Sequence, residues 1–294
     1  MKITLLGTGT PAPLAHRAAA GYVVELDQET FVFDHGPGAH ARMLQAGFDL
    51  TRVSQLFLTH LHYDHFADVP SLVLRRWDQG GGDIADLPVY APAPAARRFE
   101  LLFGADGVYH DDLEARTRHA MSLGVFHARG GAGERARPNP QVHEIAHGDV
   151  VDGDGWRVRA VETPHAQPQL VTLAYRLDAG ERSLVFTGDT GPCAALVDLA
   201  RGADVMIHMC HYRSGTQLND EMAHGCCGHI EAATHARDAG VGTLVLTHLT
   251  KQLETDGVRE RVLHEVGTVF DGRVIWGEDL KVIVPGDGAE VAPV

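Results

Sequence analysis

Three histidines and an aspartate crowd into six residues at His60-Leu-His62-Tyr-Asp64-His65, directly after the apolar run Val53 to Leu58. Imidazole and carboxylate together are the donor set of a borderline-soft divalent cation. Alternate residues of a strand end share a face, so His60 and His62 point the same way, and the turn beyond returns Asp64 and His65 beside them. Two imidazoles with a third from elsewhere make one site; Asp64 and His65 begin a second. Further donors stand at the carboxyl ends of other apolar runs: His165 after Val158 to Thr163, Asp189 after Leu184-Val-Phe-Thr-Gly, and His248 after Thr243-Leu-Val-Leu-Thr. Two divalent ions about 3.5 to 4 Å apart can lower the pKa of a shared water and stabilise charge on attacking and leaving oxygens, which is the chemistry of hydrolysis. No Ser or Cys stands in a nucleophile elbow, and Gly7-Thr-Gly9-Thr is too slight a pattern for a phosphate loop.

These donors need rigid strands behind them. Short apolar runs read as strands at 3–7, 21–26, 30–33, 53–58 and 87–90, and again at 156–162, 170–177, 183–186, 204–207, 243–246, 273–276 and 280–284. Helical patterns fall at about 38–47, 66–77, 93–103, 192–201, 230–239 and 256–267. The fold class is therefore α/β, with each half strand-rich first and alternating later, which suits two sheets packed face to face with helices outside. We expect one domain over 1–294, in two pseudo-repeated halves of about 1–145 and 146–294. Residues 104–141, rich in Gly, Pro, Arg and His with one helical stretch at Asp111 to Met121, read as an insertion, either a lid or a surface loop. The Arg-bearing apolar segment Leu72 to Trp77 reads as pocket lining or an oligomer contact.

Composition narrows the setting. Hydrophobic residues make up 44% of the 294, enough for a sizeable core, and the formal charge is -14. A polyanion would meet net repulsion unless a local basic patch overcame it. Cys193, Cys210, Cys226 and Cys227 read as thiols in a reducing compartment, and neither a leader peptide nor an apolar run of membrane-spanning length is evident. The expectation is a cytoplasmic protein with no membrane partner.

In their order, HxHxDH, Thr163-Pro-His165, Thr187-Gly-Asp189-Thr190 and Leu246-Thr-His248 resemble the metallo-β-lactamase superfamily. The opening Leu6-Gly-Thr-Gly-Thr-Pro-Ala-Pro13 and Phe33-Asp34-His35-Gly36-Pro37-Gly38 are similar to its ribonuclease Z branch. The resemblance implies a four-layer αββα sandwich and two Zn2+ per chain, with Mn2+ or Fe2+ as alternatives. It implies that His60, His62 and His165 hold the first metal, that Asp64, His65 and His248 hold the second, and that Asp189 bridges them. It counts Asp64 and His229 as catalytic, His229 in the place of the histidine that protonates the leaving group. Asp34 falls where a carboxylate orients a ligand histidine, and His208 and His211 are candidates for facing the pocket.

Two departures bear on the substrate. Where the tRNA-processing branch has His-Glu-Ala-Thr, this chain reads His208-Met209-Cys210-His211, without the carboxylate, and only 24 residues separate His165 from Asp189, where those enzymes carry a basic arm. With the acidic charge, these argue against nucleic acid and for a small-molecule substrate: a phosphate or sulfate ester, lactone, thioester or activated aryl ether. A ribonuclease Z-like RNA-processing phosphodiesterase is the alternative; an iron-containing redox or purely metal-binding protein is the reading of another class. Self-association as a homo-oligomer is expected by family habit, with a hetero-oligomer left open.

Overall fold

Two seven-stranded sheets face one another in the computed structural model, which describes residues 1–82 and 84–286. The first begins with β1 (Lys2–Gly7), β2 (Gly21–Glu25) and β3 (Thr30–His35), paired antiparallel, and continues in parallel through β4 (Gln55–Phe57), β5 (Pro88–Ala91) and β6 (Gln141–Glu144). The second repeats that plan. Its β7 (Val150–Gly153), β8 (Trp156–Thr163), β9 (Thr172–Ala179) and β10 (Arg182–Phe186) are antiparallel, and β11 (Val205–Met209), β12 (Thr243–Thr247) and β13 (Arg273–Trp276) follow in parallel. The change of direction falls where hairpins give way to strand–helix alternation, because a parallel neighbour needs a long crossover. One strand breaks the division by halves: β14 (Val282–Ile283) returns from the end of the chain to pair with β1 in the first sheet.

Helices cover both outer faces. The first sheet carries α1 (Ala39–Gln45), α2 (Tyr63–Phe66), α3 (Val69–Gln79) and α4 (Ala95–Phe103), and the second carries α7 (Ala194–Ala200), α9 (His229–Ala239) and α10 (Val258–Gly267), giving the expected αββα layers. Between the sheets lies an aromatic core in which Phe33 and Phe186 stack across the interface with ring centroids 4.0 Å apart. Such pairs contribute about 0.5–1.5 kcal/mol beyond their buried area. Polar links cross the same interface at its active end. The Tyr175 hydroxyl donates to the carbonyl of Leu58 at 2.7 Å, the amide of Leu173 donates to that of Thr59 at 2.8 Å, and the Tyr22 hydroxyl donates to Thr247 at 3.2 Å. The second sheet thus holds the strand end that leads into His60.

Local differences from the sequence reading have local causes. Strands β6 and β7 went unexpected because they are outer strands with largely exposed side chains, so no buried face writes an alternation into the sequence. The helix expected at 66–77 starts earlier and is split into α2 and α3. The single stretch expected at 111–121 is two helices, α5 (His110–Arg118) and α6 (Ala120–Ala128), divided at His119, whose ring accepts from the amide of Met121 and so caps the second. Short α8 (Asp220–Gly225) also escaped the reading. Leu72 to Trp77 lies in α3, with Leu72 and Val73 in the core, Arg76 donating to the carbonyls of Val53 and Ala85, and Arg135 of the insertion 4.1 Å over Trp77. No helix among the described residues is long and apolar enough to cross a membrane, and the four cysteines are free thiols.

Candidate metal centre

Loops at one edge of the sandwich bring seven donors together. His60 and His62 follow β4, Asp64 and His65 lie in α2, His165 follows β8, Asp189 follows β10 and His248 follows β12. Their ligand atoms form two groups, His60, His62, His165 and Asp189 in one, Asp64, His65, His248 and Asp189 in the other, each within a 4.8 Å span. Asp189 belongs to both. Neighbouring donors stand at 3.0 Å (His60 Nε2 to His62 Nδ1), 3.3 Å (His165 Nε2 to His62 Nδ1), 3.6 Å (His165 Nε2 to Asp189), 3.5 Å (His65 Nε2 to Asp189) and 3.2 Å (His248 Nε2 to Asp189). Donors about 2.0–2.2 Å from one tetrahedral zinc lie roughly 3.3–3.6 Å from each other, so the spacing suits a cation between them.

Which nitrogen each ring can offer is set by what holds the other. Asp34 accepts from the Thr59 amide at 2.7 Å, from the Thr59 hydroxyl at 2.8 Å and from His65 Nδ1 at 2.8 Å. That holds the His65 Nδ1–H on Asp34 and turns the buried Nε2, which has no hydrogen-bond partner, to the centre. Because the Thr59 proton goes to Asp34, its oxygen accepts from His60 Nδ1 at 3.0 Å, turning the lone pair of His60 Nε2 to the centre as well. His165 Nδ1 donates to the carbonyl of Gly225 at 2.7 Å, and His248 Nδ1 stands 3.1 Å from His211 Nδ1. Four rings are therefore turned so that their other nitrogen faces the centre, the arrangement that second partners impose on metal-binding histidines. Backbone geometry is stretched to achieve it, since Asp34 and His248 sit at φ of 53° and 58°. Gly36 of the Asp34-His-Gly motif is needed for approach, because a Cβ there would lie 1.7 Å from the carbonyl oxygen of Asp64.

Electrostatics favour the metal-ready forms. Burial, reinforced by His65, pushes the His60 pKa well below the ordinary imidazole value, and burial with His165 lowers that of His62, so both favour the neutral form in which an imidazole can accept a cation. At Asp64 burial opposes the charge, but the contacts with His248 and His65 overcome it and hold the carboxyl below its usual range. At His65 burial opposes the charge, but Asp189 and Asp34 overcome it and raise the pKa well above the ordinary imidazole value, so a cation at the centre would take the place of that proton. A cation is the group such a site fits: neutral imidazoles, ionised carboxylates and a buried His65 Nε2 with no hydrogen-bond partner face inward.

The other sequence candidates divide. His211, part-buried after β11, joins the rim through His248, with its pKa pushed down to about 4 by burial first and then by His248. His208 points the other way, into the core, where it forms a third donor group with Cys227 and His235. His229 does begin α9, but its ring is fully buried and both nitrogens are taken, Nδ1 accepting from the Ser214 amide at 3.0 Å and Nε2 donating to Glu265 at 2.7 Å. Burial lowers its pKa although Glu265 pulls the other way. The sequence reading missed Thr59, the Gly225 carbonyl, Ser214 and Glu265. Only Thr59, next to His60, was within reach of a motif argument; the others act across long sequence separations.

Comparison with known proteins agrees with this geometry. Residues 29–249 match the family described as the beta-lactamase superfamily domain. Ribonuclease Z of Mycobacterium sp. strain KMS is 33% identical over 298 residues, covering 100% of this chain and 99% of that protein. Among solved structures, the metallo-beta-lactamase fold protein YhfI from Bacillus subtilis superposes with a TM-score of 0.73 at 21% identity, covering 96% of this chain and 98% of that one. Human tRNase Z, short form, follows at 0.68 and 21%, covering 98% and 100%. These findings correct the expected substrate. The missing Glu, the short His165–Asp189 interval and the net charge had argued against nucleic acid and for a small molecule, yet the chain matches a ribonuclease Z from end to end. Net charge is a sum over the whole surface and says little about the potential at one docking face.

Proposed function

The chain belongs to the β-lactamase superfamily of metal-dependent hydrolases, in its ribonuclease Z-like branch, and on that premise we propose that it is an RNA-processing phosphodiesterase acting in the cytoplasm. One observation carries the reading: Asp189 is shared by two donor groups at the edge of a chain that aligns along its whole length with ribonuclease Z. In this reading His60, His62 and His165 would hold one divalent ion and Asp64, His65 and His248 the other, with Asp189 available to both. The nitrogen-rich set favours zinc. Two ions held there would supply an activated water near neutral pH and offset charge on the phosphoryl oxygens.

The chain's own part is to prepare that place. Asp34, through Thr59 and directly, orients two imidazoles so that the Nε2 of each faces the place an ion would occupy. Asp64 stays ionised and adds negative charge where the cations gather. His211 sits at the rim beside His248, placed to meet a bound phosphodiester.

The test is cleavage of a 3′-extended precursor tRNA by the zinc-replete protein, beside Asp189→Ala. Endonucleolytic cleavage that is lost in the variant, with binding that weakens steeply as salt rises, supports the reading. Full metal content with no cleavage of RNA would overturn it.

A further inference from the structure

The family resemblance assigned His229 the part of leaving-group acid, yet in the structure it presents nothing to the centre. Its ring is 0% exposed, and neither nitrogen is spare: one accepts from the amide of Ser214, the other donates to Glu265 on α10. Glu265 in turn receives Arg213 at 3.1 Å. The tie is one of several between the segment after β11 and the start of α9. His211 donates its amide to the carbonyl of Cys227 at 2.9 Å, and Tyr212 bridges to Gly228. The hydroxyl of Ser214 donates to Glu231 at 2.6 Å and accepts from the Ile230 amide at 3.0 Å. Gly228 allows the approach, since a Cβ there would fall 2.5 Å from the Ser214 oxygen. The segment fastened in this way is the one that carries His211 to His248.

Tautomers extend the argument to His211. If His248 Nε2 offers its lone pair to the centre, its proton sits on Nδ1 and is donated to His211 Nδ1 at 3.1 Å. The His211 proton is then on Nε2, which is left as a donor at the rim of the site. Met209, in the place of the family's Glu, provides no carboxylate to hold His229 toward the centre; its sulfur is instead 2.9 Å from the amide of Thr190.

We propose that His229 is a positioning residue, which with Glu265 pins Arg213 and Ser214 and thereby presents His211, as a hydrogen-bond donor, to an oxygen of the bound phosphodiester. The inference rests on the phosphodiesterase reading for its kinetic arm only. In the metal-replete protein, His229→Ala, Glu265→Ala and their combination are compared on two substrates, RNA and bis(p-nitrophenyl) phosphate, whose leaving group needs no proton. The expected loss is about tenfold to a hundredfold, the size found when a supporting partner is removed. It is equal on both substrates, and the double variant is no worse than the poorer single one. Hydrogen exchange of the amides at 211–215, read without substrate, quickens in each variant. His229→Asn, whose Oδ1 replaces Nδ1 as acceptor for Ser214, restores slow exchange and most of the turnover.

A leaving-group acid behaves otherwise. It predicts a loss of about 10²–10⁴-fold on RNA alone, with His229→Asn as poor as the alanine variant, Glu265→Ala close to native and exchange unchanged. That pattern would overturn the proposal. If His229→Ala does not fold, Glu265→Ala and His229→Asn decide between the two. If the native protein cleaves neither diester, the proposed function falls while the exchange arm still decides the positioning role.

Discussion

Among the described residues two clusters of metal-binding residue types stand out, and they have opposite fates. At the sandwich edge, each of four histidines has one nitrogen engaged by Asp34, Thr59, Gly225 or His211 and the other left facing its neighbours. Beneath the second sheet, His208, His235 and Cys227 are as close together, within 4.8 Å. There the chain of protons closes. His208 Nδ1 donates to the Met209 carbonyl at 2.7 Å, His235 Nδ1 donates to His208 Nε2 at 2.9 Å, and His235 Nε2 accepts from the Cys193 amide at 3.2 Å. No ring lone pair remains, and a cation there would have to displace a proton and break a buried hydrogen bond. Residue type and proximity are alike in the two places. The spare lone pair separates them.

That difference can be broken at several points. The largest effect is expected from Asp189→Ala, which removes the donor common to both groups: metal content measured by elemental analysis drops, and hydrolysis falls by at least about a thousandfold, the order expected when metal-assisted water activation is lost. Retained metal with retained activity would refute the bridging role. Next is Asp34→Asn. It keeps the shape but weakens the hold on His65 and Thr59, and metal affinity or turnover should fall about tenfold to a hundredfold, with the fold intact by circular dichroism.

The inner cluster should respond in stability and leave metal binding alone. His208→Ala strands the Nδ1 proton of His235, at a cost of about 1–3 kcal/mol in denaturant unfolding, with metal content unchanged. Loss of metal in that variant would erase the contrast between the clusters. The smallest effect is on pH dependence. Burial, then His235, pushes the His208 pKa down to about 3 from 6.5, so the unfolded chain binds its proton more readily than the folded one. Stability from this group is therefore full above about pH 6.5 and declines as the pH drops toward 3. His208→Gln should flatten the unfolding midpoint over that range; an unchanged slope would mean the ring is not buried neutral.

Much of this could be read in the chain itself. The apolar runs that become β1 to β3 and β10 to β12 are buried on both faces between helices and the opposite sheet, so burial imprinted them as near-continuous hydrophobic stretches, whereas β8 alternates buried and more exposed side chains and shows the period of a one-sided strand. The edge strands β6 and β7 left no such mark. The donor set was equally legible, because a strand end followed by a tight turn confines His60, His62, Asp64 and His65 to one neighbourhood through local geometry. The substrate was misjudged on global charge, a quantity that carries no position, together with two local departures, Met209 and the short His165–Asp189 interval.

Sequence alone thus indicated, through short-range periodicity and spacing, the layers, the strands that carry the donors, the cluster at 60–65 and the placing of His165, Asp189 and His248 at strand ends, while their grouping into two sets came from the family resemblance. Tertiary structure decided which nitrogen each histidine has to spare, since that depends on partners such as Gly225, 60 residues from His165, and Glu265, 36 residues from His229. It also decided that His208 closes a core chain of protons while His211 reaches the rim. A proton's place on an imidazole is settled by whatever stands within about 3 Å of the other nitrogen, and for these rings that neighbour is brought in by the packing of distant elements.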